Sequence, residues 1–185
     1  MIEIAGIAGS LRQASYNRAL LRAAAELMPE GAVLKTLSID AVPLYHGDVE
    51  ARGIPTPVVT LKNALASAAG LVVATPEYNN GIPGVLKNAI DWMSRPAADI
   101  PRVFGGKPIA LLGATPGGWG TVFAQTAWLP VLRTLRTKLW TAQGPFYVSG
   151  AAKVFDDSGL VDAELRERLR KYMAAFVEHV RAEAG

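Results

Sequence analysis

Gly70-Leu71-Val72-Val73-Ala74-Thr75-Pro76-Glu77-Tyr78-Asn79-Asn80-Gly81-Ile82-Pro83-Gly84-Val85-Leu86-Lys87-Asn88-Ala89-Ile90-Asp91-Trp92 passes from an unbroken apolar segment, through a turn-rich stretch, into a helical stripe. The run from Gly70 to Thr75 is rich in β-branched residues and does not alternate with polar ones, which predicts a strand buried on both faces. Two prolines and two glycines within the nine residues Pro76 to Gly84 impose an irregular backbone. Val85, Leu86, Ala89, Ile90 and Met93 then recur at helical spacing. Strand, loop and helix follow in order, and in an open α/β sheet ligands sit at the carboxyl ends of the strands, where such loops lie. The Pro76 loop is therefore a candidate binding surface; the plainer alternative is a connector built of turn residues.

Working outward, the pattern repeats. Ile2 to Ala8 reads as a first strand, Gly9-Ser10-Leu11-Arg12-Gln13-Ala14-Ser15-Tyr16-Asn17 as a polar loop, and Leu20, Leu21, Ala24, Leu27 and Met28 as a helical stripe. That loop combines hydroxyls, an amide side chain and a guanidinium with a helix start, whose backbone N–H groups lack intrahelical partners. Such a combination suits an oxyanion, with a phosphate the natural guest. Equally, Ser15 or Asn17 can cap the helix and Arg12 can be a solvated charge. Gly6-Ile7-Ala8-Gly9-Ser10-Leu11 is neither a G-x-x-x-x-G-K-[ST] phosphate loop nor a G-x-G-x-x-G dinucleotide fingerprint. Ala8 to Arg12 does not form a nucleophile elbow, and His46 and His179 are too few to support a triad.

Val33 to Ile39 predicts a second strand, followed by a long polar excursion from Pro43 to Pro57 of the kind associated with function or disorder. His46 and Asp48 lack the further ligands a metal site needs, so no metal is expected. Val58, Leu61, Leu65 and Ala68 return to helical spacing. Lys107 to Ala114 predicts a fourth strand, and Thr115-Pro116-Gly117-Gly118-Trp119-Gly120 turns out of it. There, glycines permit close backbone approach to a ligand and Trp119 offers a flat apolar face, or the segment is a flexible turn with a partly buried ring. Pro130 predicts a bend or break near Trp128 in the next helix. Leu139 to Thr141 and Pro145 to Val148 make a broken fifth strand. Val161, Leu165, Leu169, Met173, Phe176 and Val180 give a final amphipathic helix.

Composition narrows the class. The 185 residues suffice for one core with no boundary signal, so residues 1–185 are expected to form a single domain. No apolar run approaches the roughly 18 residues of a membrane span, which predicts a soluble, cytoplasmic protein. With 19 basic and 16 acidic residues dispersed along the chain, neither nucleic acid nor a membrane is an expected partner. The absence of cysteine removes disulfides, thiolate nucleophiles and iron–sulfur clusters. Alternating strands and helices imply an α/β fold: a doubly wound, five-stranded parallel sheet in the order 2-1-3-4-5, with helices on both faces. In that order the loops after strands 1, 3 and 4 share one site, suited to a phosphate in the first and a planar ring against the others. FMN has that shape.

Gly9-Ser10-Leu11-Arg12 with Ser15 and Asn17, and Pro76-Glu77-Tyr78-Asn79 continuing through Ile82-Pro83-Gly84 to Leu86-Lys87-Asn88-Ala89-Ile90-Asp91-Trp92, resemble the NAD(P)H-dependent FMN reductase family of flavodoxin-like proteins, which includes quinone and chromate reductases. The resemblance spans essentially the whole chain. It implies that Ser10, Arg12, Ser15 and Asn17, with backbone support from Tyr16, hold the FMN phosphate. Pro76, Glu77, Tyr78 and Asn79 would line the isoalloxazine, and Thr115, Pro116, Gly117, Gly118 and Trp119 would close the site. It further implies hydride transfer from NADPH or NADH to flavin N5 and on to a small acceptor (quinone, azo compound, chromate or flavin) by ping-pong kinetics, with no side chain assigned to acid–base catalysis. A homodimer or homotetramer is implied too, although the arginine that many relatives place at about position 129 for contacts between subunits is a leucine here. The last helix and Trp92 are expected to leave apolar surface for that assembly. The alternatives are a flavodoxin-type electron carrier or a non-catalytic flavin-binding protein. The slightly basic composition and a first loop that is not Thr- and Ser-rich argue against the carrier.

Overall fold

The computed structural model describes residues 1–184. Four strands, β1 (Ile2–Ala8), β2 (Ala32–Leu37), β3 (Gly70–Ala74) and β4 (Pro108–Ala114), pair in parallel. Two short pieces, β5 (Lys138–Leu139) and β6 (Phe146–Val148), both pair with β4, so the fifth position is occupied by a broken strand as expected. The order β2-β1-β3-β4-β5 is the doubly wound order read from the sequence. Register is fixed along the centre by Ala8↔Ala74 and Ala74↔Leu112, which brings the carboxyl ends of β1, β3 and β4 to one edge.

The central strands β3 and β4 carry no polar alternation because both of their faces are buried. Ile4, Val72, Ala74, Ala110 and Leu112 face one core, and Ala5, Ile7, Leu71, Val73, Ile109 and Leu111 face the other. The first core is closed by α1 (Tyr16–Glu26) and by the last helix, Ala163–Ala184, through Leu20, Leu169, Met173 and Phe176. The second is closed by helices over Thr56–Ser67, Gly84–Met93 and Val122–Thr134, through Leu65, Leu86, Ile90 and Trp128. In chain order the helices are α1, α2 (Gly47–Arg52), α3 (Thr56–Ser67), α4 (Gly84–Met93), α5 (Ile100–Val103), α6 (Val122–Thr134) and α7 (Ala163–Ala184). A hairpin of β7 (Phe155–Asp156) and β8 (Gly159–Leu160) precedes α7.

Two expectations need correction and two, given as alternatives, are narrowed. First, α6 runs through Pro130 without a break. The carbonyl freed by the missing amide is that of Thr126, and both residues are exposed, so water can take the place of the lost helical partner. Second, Trp92 and the α7 stripe offer no apolar surface to a partner. Leu169, Met173 and Phe176 are core, and Trp92 is buried with its indole N–H donated to Pro43 O at 2.9 Å. Third, Val161 lies outside α7 and is half-exposed, because Asp162 caps that helix by accepting Leu165 N–H at 2.7 Å. Fourth, the polar excursion after β2 is ordered. His46 caps α2 by accepting Asp48 N–H at 3.1 Å, and Asn88 on α4 straps the segment down through Tyr45 N and Pro43 O, both at 2.8 Å.

Candidate flavin site at the carboxyl edge of the sheet

The β1–α1 loop leaves the sheet where Gly9 N–H donates to Ala74 O at 2.9 Å. A Cβ at Gly9 would lie 2.6 Å from Leu86 Cδ2 and 2.9 Å from Pro76 Cδ, so only glycine lets the first loop lie against the second. Ser15 caps α1, its Oγ accepting Arg18 N–H at 3.4 Å, which leaves its own hydroxyl hydrogen free to donate. The amides of Tyr16 and Asn17, in the first helical turn, have no intrahelical acceptor. Ser10 is buried; its Oγ accepts from Arg12 N at 3.3 Å and its carbonyl accepts from Arg18 Nε at 2.8 Å, while the Arg18 guanidinium pairs with Asp40. Arg12 is exposed and makes no ion pair among the described residues. It lines a cleft of about 470 Å³ with Ser15 and Tyr16.

Asn17 is the exception in this loop. Its side chain is only 3% exposed, donates to Ala114 O at 2.8 Å and accepts Ala114 N–H at 2.9 Å. Its oxygen and one amide hydrogen are thus spent on joining α1 to the end of β4, and one amide hydrogen remains.

The Pro76 loop is held from below by Thr75, which donates to Pro76 O at 2.9 Å and accepts Trp128 Nε1–H at 3.2 Å. Tyr78 to Gly81 then closes a two-residue turn, with Gly81 N donating to Tyr78 O at 3.0 Å and Tyr78 N to Gly81 O at 3.2 Å. Asn79 and Asn80, at φ of 50° and 58°, occupy the two left-handed positions of a type I′ turn, where asparagine is tolerated better than other side chains. The Tyr78 hydroxyl reaches Ser10 Oγ at 3.5 Å. Glu77 turns away to the third loop: its Oε2 accepts from Phe123 N at 2.8 Å and Ala124 N at 3.0 Å, so the carboxylate sits on the first turn of α6, where the dipole favours it. Burial raises the Tyr147 phenol above its ordinary value, and the Glu77 charge pushes in the same direction.

The β4–α6 loop is anchored at its start. Thr115 N donates to Val148 O at 2.9 Å, Ala151 N to Thr115 O at 3.0 Å, and Gly150 N to Gly117 O at 3.1 Å. Pro116, Gly117, Gly118 and Trp119 are exposed. At the far end Thr121 is fully buried, and a Cβ on Gly113 would lie 2.1 Å from its Oγ1, so glycine in β4 is what lets the loop return over the strand.

The three loops are therefore joined in pairs: first to second by Tyr78 and Ser10, second to third by Glu77 and Phe123, third to first by Ala114 and Asn17. The site's donors match a phosphomonoester. The first loop carries the backbone amides of the α1 start, the hydroxyl hydrogens of Ser10 and Ser15 and the guanidinium of Arg12, and the cleft that Arg12, Ser15 and Tyr16 line is bounded on its other side by Asp156 and Asp157. A parallel sheet in this order, with such loops at its switch point, defines a flavodoxin-like protein.

The comparisons agree. A family model described as NADPH-dependent FMN reductase matches residues 2–153. An NAD(P)H-dependent FMN reductase of Pseudomonas aeruginosa is 40% identical over 185 residues, covering 100% of this chain and 98% of that one. A quinone reductase of Pseudomonas putida is 38% identical over 95% of this chain and 90% of its own. The structure of FerB, a flavoenzyme NAD(P)H:(acceptor) oxidoreductase from Paracoccus denitrificans, superposes with a TM-score of 0.88 at 29% identity, covering 99% of both chains. The chain belongs to the NADPH-dependent FMN reductase family, and it is an oxidoreductase that uses FMN and NAD(P)H.

Two features of the site lie beyond the sequence reading. The Asn79-Asn80-Gly81 run carries an I′-turn signal that identifies the hairpin-like turn. Nothing local marks the reach of Glu77 across 46 positions to Phe123.

Proposed function

We propose that this chain, as one domain, binds FMN by its phosphate in the first loop and passes electrons from NAD(P)H to a quinone-class acceptor by ping-pong kinetics. When bound, the flavin accepts hydride from the nicotinamide and delivers the electrons to the acceptor. The protein's share is positioning. Arg12 and the hydroxyls of Ser10 and Ser15 neutralise and orient the phosphate, with the Tyr16 amide and the free hydrogen of Asn17 behind them. Asn79 offers its backbone to the isoalloxazine edge, Pro76 and Tyr78 shape the turn that presents it, and Glu77 contributes its backbone there while its side chain holds α6. Thr115, Pro116, Gly117, Gly118 and Trp119 close the site above. With donor and acceptor using the same face in turn, water-free stacking rather than acid–base chemistry is what the pocket must supply.

The observation that carries this reading is the pairwise joining of the three loops around the donor-rich first loop. The names of the Pseudomonas relatives support the cofactor and the quinone class. A cytoplasmic placement belongs to the same proposal; no helix among the described residues is long and apolar enough to cross a membrane. A homodimer or homotetramer is part of the same proposal; Leu129 on α6 is half-exposed and available to such contacts. The test is spectral: titration of purified protein with FMN, then anaerobic NADPH. Saturable flavin binding, bleaching by NADPH and reoxidation by a quinone are expected; failure of the flavin to bind would refute the proposal.

A further inference from the structure

Of the four tryptophans, Trp92, Trp128 and Trp140 are buried, whereas Trp119 leaves 76% of its surface in solvent. A large aromatic ring kept in water forgoes more burial than almost any other side chain, which makes its exposure informative. Its backbone is placed rather than loose. Thr115 and Gly117 are bonded to Val148, Ala151 and Gly150 on one side, and on the other Gly120, at φ 65°, lies against Tyr147 ahead of the buried Thr121. Only Gly118 and Trp119 span the gap, and a Cβ at Gly118 would meet nothing within 4 Å.

Beside Trp119 stands Phe123, also exposed, with ring centroids 6.4 Å apart and planes at 52°. The Phe123 amide is held by the Glu77 carboxylate, so the aromatic pair stands next to the Tyr78 turn, whose own ring is half-exposed. The rim of the site therefore presents flat, apolar, quadrupolar faces, the surface that a planar conjugated acceptor stacks on and a compact charged oxidant does not.

We propose that Trp119, seconded by Phe123, is the stacking surface for the acceptor and sets a preference for aromatic quinones. The inference rests on the reductase reading above and deepens it. In the balanced reaction the quinone gains the two electrons and proton delivered as hydride from NAD(P)H, plus one proton from water, and leaves as the hydroquinone with NAD(P)⁺ formed.

The test uses FMN-loaded wild type, Trp119→Ala and Trp119→Phe, with 1,4-naphthoquinone and ferricyanide as acceptors. In Trp119→Ala the ratio of kcat/KM for naphthoquinone to that for ferricyanide should fall roughly three- to tenfold, through KM for the quinone, as loss of an aromatic stack predicts. Trp119→Phe should restore most of it. Three results overturn the inference: an unchanged ratio, an FMN dissociation constant that weakens by the same factor because the ring belongs to the flavin, or a fall in mass by light scattering because a second copy covers the ring. A wild type that binds no FMN removes the reductase reading and the inference together, whereas an FMN-loaded enzyme that turns over ferricyanide with an unchanged ratio in the variant removes the inference alone.

Discussion

Truncating Asn17 to alanine tests whether the first and third loops are held together by one side chain. The two hydrogen bonds to Ala114 span 97 positions, and both partners are buried. Removal leaves the Ala114 N–H and C=O without protein partners at a buried place, each at a cost of about 1–3 kcal/mol, less whatever an entering water restores. A net loss of about 2–4 kcal/mol follows, or roughly 4–16 °C in the unfolding midpoint for a chain of this size. Thermal unfolding followed by circular dichroism, with and without saturating FMN, measures it. The flavin-dependent rise in Tm should also shrink, because the loop proposed to receive the phosphate has lost its tie to β4. Asn17→Asp sharpens the test. It keeps an acceptor for Ala114 N–H but sets a buried carboxylate oxygen against Ala114 O, which raises its folded-state pKa. A raised carboxyl pKa makes the folded state favour the protonated form, so the variant should approach wild type at low pH and fall behind as pH rises through that value. An alanine variant within about 1 kcal/mol of wild type, or an aspartate variant whose deficit does not change with pH, would refute the reasoning.

Other perturbations follow from the same geometry. Arg12→Ala should weaken FMN binding roughly ten- to hundredfold, from the loss of charge-assisted hydrogen bonds worth about 1.5–3 kcal/mol, and a fluorescence titration showing unchanged affinity would remove Arg12 from the phosphate site. Asn79→Val forces a β-branched residue to φ of about 50° and should cost roughly 1–2 kcal/mol in urea unfolding, whereas Asn80→Gly should be neutral or slightly stabilising; equal effects would contradict the I′ geometry. The hydrogen bond from buried Lys62 holds the Asp99 carboxyl below its ordinary value, Arg102 adding to it. Its contribution is therefore complete above the unfolded value of about 4 and is lost as pH falls through the depressed folded value, so the stability of Asp99→Asn relative to wild type should improve over that acid window and stay level above it.

The strands and their order were legible because burial on both faces leaves a signature in composition: Leu71 and Val73 serve one core while Val72 and Ala74 serve the other, so no polar residue is admitted between them. In the first loop the capping reading of Ser15 is the one the structure realises, since its side chain caps α1. What stayed hidden depends on contacts between distant positions. Trp92 ends an amphipathic stripe and looks like spare surface until Pro43, 49 residues earlier, is seen to accept its indole hydrogen. Pro130 reads as a bend or break because sequence cannot say that Thr126, whose carbonyl loses its helical partner, lies on the exposed side of α6. Glu77 and Asn17 read as ligands, yet each spends hydrogen-bonding capacity on the scaffold, and the same polar atoms that suit a cofactor suit a buried latch equally well.

The latches have an energetic consequence for specificity. Each loop is fixed by the other two, so binding energy from FMN need not be spent on ordering the backbone that receives it, which is how a small site reaches useful affinity. The tie that Glu77 makes to α6 also fixes where Phe123 begins. Only the Gly118–Trp119 tip lies outside the three ties. Substitutions there change what the rim offers to an acceptor without disturbing Asn17, Glu77 or the Tyr78 turn, whereas a substitution at any of those three alters the flavin pocket and the rim together. If Trp119 stacks the acceptor as proposed, acceptor preference would be separable from cofactor affinity at that one short segment.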